Sequence, residues 1–93
     1  MVGCFSAPGF GYGDHSGQPD YTTLTVAICE EHCKTKDMTY FGIDDGKWCF
    51  GADTLPESDI VRNSECNLPC SGEPESVGKC GGNSRINIHA VIF

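Results

Sequence analysis

Thr25–Lys36 reads TVAICEEHCKTK and Thr39–Asp53 reads TYFGIDDGKWCFGAD, and how these two stretches meet decides the fold. The first has the marks of a helix. Thr25 is a suitable N-cap for a helical body from about Val26 to Lys36, and Lys34 and Lys36 fall in the last turn, where cations suit the helix dipole. Cys29 and Cys33 lie one turn apart, share a face at a spacing of about 6 Å, and with Val26 form the stripe expected to be buried. His32 falls off that stripe and reads as a solvated side chain. The strand that passes opposite would match the cysteine pair with a Cys-x-Cys, because residues i and i+2 of a strand also share a face. The sequence has Cys49-Phe50-Gly51 there, so one of the two possible ties is missing.

The second stretch carries the strongest hairpin signal. Asp45-Gly46 is the dipeptide preferred by a two-residue type I′ turn. That loop would set Asp44 opposite Lys47, Ile43 opposite Trp48, Gly42 opposite Cys49 and Phe41 opposite Phe50, and directly opposed residues share a sheet face. With Cys49 directed at the helix, Phe41, Ile43, Trp48 and Phe50 are predicted to project together from the other side as an aromatic patch. A slip of one residue would reverse part of this arrangement.

Around this pair the chain is simple. Val2–Ser6 is a short strand-like opening. Residues 7–20 (APGFGYGDHSGQPD) are rich in glycine and proline and read as a surface loop that either tucks Phe10 and Tyr12 beneath it or presents them to a ligand. Residues 52–83 are polar and turn-rich, a long covering loop fastened by Cys66, Cys70 and Cys80. Arg85–Phe93 alternates, with Ile86, Ile88, Ala90 and Ile92 on one face, and is expected to be the central or closing strand of a small antiparallel sheet. The predicted class is α+β: one domain over residues 1–93, small and disulfide-rich, with one helix packed on a short antiparallel sheet.

The composition narrows the function. Seven cysteines in 93 residues, with an apolar fraction of 39%, read as a disulfide framework that supplements a modest core and needs an oxidising, extracellular compartment. A formal charge of −7 without any Lys/Arg cluster argues against nucleic acid or an anionic membrane surface as partner. No apolar run approaches the 18 residues of a membrane span, and no leader segment is visible, so the chain reads as a mature or excised piece with Met1 added. Zinc is disfavoured because the repeated Cys-x3-Cys spacing of Cys29/Cys33 and Cys66/Cys70 departs from the Cys-x2-Cys knuckles of structural sites. No cofactor is expected.

Catalysis finds no constellation. Asp44, Asp45 and Asp53 beside a glycine turn are ordinary turn carboxylates rather than a glycosidase pair, and they lack the spacing of an EF-hand loop. Ser71-Gly72 has no strand–turn–helix context, and a left-over cysteine with His32 is too little for a thiol protease. The remaining class is a binding module.

Taken together, Val2-Gly-Cys-Phe-Ser6, Leu24-Thr-Val with Cys29 and Cys33, Thr39-Tyr-Phe-Gly-Ile43, Cys49-Phe50, Cys66-Asn-Leu-Pro-Cys70-Ser-Gly-Glu-Pro74, and Cys80-Gly-Gly with Arg85 resemble the WSC domain. The resemblance implies a PAN/apple-like fold and a non-catalytic, extracellular carbohydrate-binding module at the cell wall or cell surface. Its expected partner is cell-wall polysaccharide, β-glucan above all, and xylan or chitin in some members. Aromatic faces stack on the apolar faces of sugar rings while Asp and backbone groups bond to hydroxyls, so the expected binding residues are Trp48, Phe41, Tyr12, Phe10, Tyr21 and Asp45. The alternative is a protein-interaction or mechanosensing ectodomain that self-associates through the same aromatic patch. Members usually have eight cysteines; here Gly51 stands in place of one, and Trp48 stands where an acidic residue is common. The family's pairing, carried over, implies Cys4–Cys66, Cys29–Cys49 and Cys70–Cys80, and leaves Cys33 as a thiol.

Overall fold

The fold is taken from a computed structural model that describes residues 2–6, 19–55 and 60–92. Six regular elements follow in order: β1 (Gly3–Ser6), α1 (Val26–Thr35), β2 (Tyr40–Asp44), β3 (Trp48–Ala52), β4 (Ile60–Val61) and β5 (Arg85–Ala90), with a short 3₁₀ turn at Asn63–Glu65. All five strands join one antiparallel sheet in the order β3-β2-β5-β1-β4. The last strand lies at the centre of the sheet. It is buried from Ile86 to His89 on both faces, as a strand with neighbours on both sides and cover on both faces must be.

Helix α1 begins where the sequence places it. Thr25 is extended, and its Oγ1 accepts a hydrogen bond from the Ile28 amide at 3.0 Å, satisfying one of the orphan donors of the first turn. Lys36 caps the other end, its amide donating to Cys33 O. The helix buries Cys29 and Cys33 against β2 and β3. They join Leu24, Phe41, Ile43, Cys49, Cys70, Cys80 and Val91 in the larger core cluster. A smaller cluster, Phe5, Ile86 and Ile88 with Tyr40, Phe50 and Leu55 against it, occupies the opposite face of the sheet.

The hairpin register differs from the one expected. The turn chemistry is the predicted one, since Asp45 and Gly46 both have positive φ (55° and 76°) and the Lys47 amide donates to Asp44 O at 3.1 Å. The ladder, however, pairs Asp44 with Trp48, Ile43 with Cys49, Gly42 with Phe50 and Phe41 with Gly51, so Lys47 is an added loop residue. The reason is parity. Phe41, Ile43 and Cys49 must all face the helix, and with period-2 alternation the odd-numbered residues of both strands can share a face only across a loop of odd length. Phe41 and Ile43 therefore lie inside, and the outer face of the hairpin carries Tyr40, Trp48 and Phe50 without them.

Three disulfides close the structure: Cys4–Cys66, Cys29–Cys49 and Cys70–Cys80. They are the three that the resemblance implies, and Cys33 keeps its thiol in the core. The first ties the N-terminal strand to the end of the 3₁₀ turn, the second ties α1 to β3, and the third closes the loop beneath the hairpin. The stretch expected as a featureless covering loop contains the edge strand β4, which pairs Cys4 with Val61 and Phe5 with Ile60. Two residues are too short a segment for a period-2 signal.

Candidate functional site

The β2–β3 turn is fastened from below, and that fastening builds a rigid tip. The Gly46 amide donates to Cys80 O at 2.7 Å, and Gly46 O accepts from the Ser71 amide at 2.8 Å. Only glycine fits at this position: φ is +76°, and a Cβ would stand 2.6 Å from Pro69 O. The Cys70–Cys80 bridge holds both partners of Gly46 in one closed loop.

A second segment is brought to the same tip. The Ser71 hydroxyl donates to Tyr21 O at 2.6 Å and accepts from the Leu24 amide at 3.1 Å, and the Gly72 amide donates to Leu24 O. Asp20 bends the chain just before Tyr21 by accepting from both the amide and the hydroxyl of Thr22 at 2.9 and 2.7 Å. These two hydrogen bonds hold the Asp20 carboxyl below its ordinary value. Tyr21, half exposed, is thereby set against Trp48, with ring centroids 5.4 Å apart and planes inclined by 33°. Lys47 Nζ lies 5.4 Å from the centre of the Trp48 ring, within cation–π range.

The electrostatics of the tip come from two adjacent carboxyls. Asp45 is exposed at the turn. Asp44 is directly across the hairpin from Trp48, and its Oδ1 is buried with no hydrogen-bond partner among the described residues. Burial first, and then the Asp45 charge, push the Asp44 carboxyl up to about 6. The arrangement offers a pair of ring faces, one from each segment, with an exposed carboxylate and a cation on the turn between β2 and β3.

Of the expected binding residues, the structure brings Tyr21, Asp45 and Trp48 together. Phe41 is elsewhere. It is 2% exposed, faces α1 and stacks on His89 at 4.7 Å, because the register places it inward. Phe10 and Tyr12 lie outside the described residues. Sequence reasoning passed over Lys47 and set Asp44 aside as an ordinary turn carboxylate; the signal was their position flanking the Asp-Gly turn beside Trp48, which a two-residue loop assigned to simple pairing with one another.

Two openings of about 320 and 430 Å³ lie at the other end of the sheet and share Val26 and His89. Val2, Val77 and Ile92 add further aliphatic walls. His89 Nε2 donates to Lys79 O at 3.0 Å, and burial holds the imidazole below its ordinary value.

Comparison with known proteins settles the family. The WSC domain profile matches residues 1–82. The chain belongs to the WSC domain family. A WSC domain-containing protein of Arthroderma benhamiae is 36% identical over 67 residues, which is 71% of this chain and 9% of that protein. Kremen protein 2 of Mus musculus is 30% identical over 95 residues, 97% of this chain and 20% of that protein. Protein SLG1 of Saccharomyces cerevisiae is 27% identical over 88 residues, 95% of this chain and 22% of that protein. The chain thus spans about a quarter or less of the length of these relatives, so what it shares with them is one WSC module. Modules of this family occur in the extracellular parts of cell-surface proteins, and the three disulfides suit that setting.

Proposed function

We propose that this WSC domain, taken as a single module over residues 1–93, is a non-catalytic carbohydrate-binding unit for cell-wall polysaccharide, β-glucan foremost and xylan or chitin next. Trp48 and Tyr21 stack on sugar rings, and Asp45 accepts hydrogen bonds from their hydroxyls. The observation that carries this reading is the Tyr21–Trp48 ring pair held on a tip pinned through Gly46 and Ser71. A surface that binds a flexible polymer gains affinity when its own side chains are already ordered. The module works at the cell surface or in the wall, on the outside of the cell.

The test is a pull-down on insoluble β-1,3-glucan, chitin and xylan with the parent and with Trp48→Ala. The parent is expected in the pellet of at least one polymer and the variant in the supernatant. If the parent stays in solution with all three and instead self-associates through Trp48, the glycan reading fails and the tip is an interface between copies.

A further inference from the structure

The Sγ atoms of Cys29, Cys33 and Cys49 all lie within 4.8 Å of one another in the core beneath α1. Two of them form a disulfide and the third is a thiol. Cys33 follows Cys29 by one helical turn, and its Sγ reaches β3, donating to Phe50 O at 3.4 Å. Beside it is Gly51, packed so closely that an added Cβ would stand 3.1 Å from Cys33 Sγ and 2.9 Å from Met38. The thiol is thus held next to the very bridge it can attack.

We propose that Cys33 exchanges with the Cys29–Cys49 bridge inside the folded domain, so that α1 is tied to β3 at either of two successive turns. Cys33 is buried, so it gives its proton to solvent base during a local opening of α1 over β3, and the thiolate attacks Cys49 Sγ. The Cys33–Cys49 bond forms as the Cys29–Cys49 bond breaks, and the leaving electron pair stays on Cys29 Sγ, which takes up a proton. One disulfide and one thiol are present before and after, so the step needs no oxidant or reductant. Attack at Cys49 keeps the helix tied to the strand, and the Cys33 contact with β3 places the thiol on that side. The exchange slides the tether along the helix by one turn, about 5.4 Å.

The test uses the unreduced 93-residue protein. It is incubated at about pH 8.5, where ordinary thiols are half ionised, quenched at about pH 3, where exchange stops, and digested. Mass spectrometry with electron-transfer fragmentation then locates the bridges. Both Cys29–Cys49 and Cys33–Cys49 are expected, in a ratio independent of protein concentration, with their interconversion roughly 50- to 100-fold faster at about pH 8.5 than at about pH 6.5 as the thiolate fraction rises. Finding Cys29–Cys49 alone overturns the proposal. So does a mixture in which Cys4, Cys66, Cys70 or Cys80 has also changed partner, which marks unfolding rather than exchange, and so does a Cys29–Cys33 bridge with Cys49 as the thiol. In Cys29→Ser, the Cys33–Cys49 bridge is expected to form and leave no reactive thiol; two alkylatable cysteines in that variant would also count against it.

Discussion

Asp44 is the residue whose state the hairpin controls most tightly. Its folded value of about 6 is above the ordinary 3.8 because burial disfavours the carboxylate and Asp45 repels it. The protonated form is therefore favoured by the fold. Its stabilising contribution is complete below about pH 4 and is lost as pH rises through 6. After allowance for solvent screening of a half-buried group, the loss by neutral pH is about 1–2 kcal/mol. Asp44→Asn is expected to raise the urea midpoint at about pH 7.5 and leave it nearly unchanged at about pH 4. His89 acts in the opposite sense: burial lowers its value below 6.5, so its contribution is present above that pH and lost on acidification. The Asp44→Asn protein should consequently lose stability on acidification below about pH 6.5 through His89, with Asp20 adding its own loss below about pH 4. None of this was legible in the sequence, where Asp44 reads as one of three turn carboxylates; the difference from Asp45 is burial, a tertiary property.

At the scale of elements, the turn and its supports set the tip. Gly46→Ala would put a side chain at positive φ against Pro69 O and is expected to cost about 1–3 kcal/mol, read as a lower thermal midpoint and weaker polysaccharide retention. Ser71→Ala removes the hydroxyl that serves both Tyr21 O and the Leu24 amide. The expected cost is about 1–2 kcal/mol, together with loosening of Tyr21 seen as a change in near-ultraviolet dichroism. The helix–strand junction invites the reverse experiment. The 3.1 Å from a Cβ at position 51 to Cys33 Sγ is close to the roughly 3 Å between one Cβ and the partner sulfur in a relaxed disulfide. Gly51→Cys is expected to form a fourth bridge once Met38 shifts from its 2.9 Å approach, stabilising by about 3 kcal/mol. The check is a loss of the single alkylatable thiol and a higher denaturation midpoint. That gap was readable from sequence, because the i, i+4 cysteines of α1 demand an i, i+2 partner that β3 half supplies. The facing of Phe41 was not readable, since a two-residue and a three-residue loop through Asp-Gly differ by one residue and invert every side chain beyond it.

For the whole molecule, disulfides carry what a small core cannot. The Cys4–Cys66 bridge spans a sequence separation of 62 and joins the first strand to the last third of the chain. Cys4→Ala/Cys66→Ala is expected to lose about 4 kcal/mol by the loop-closure argument, measured by urea denaturation, with the β1–β4 pairing going first. The sequence by itself determined the secondary elements α1, β1 and β5 and the existence of a β2–β3 hairpin. It also marked, through family resemblance, the three disulfides, because caps, periodicity and cysteine order are local or ordinal properties. Only the tertiary structure decided the hairpin register, the inward turn of Phe41, the junction of Tyr21 with Trp48 and the buried state of Asp44. Each of these depends on which surfaces are covered by chain distant in sequence, and burial of that kind leaves no mark on the residues next to it.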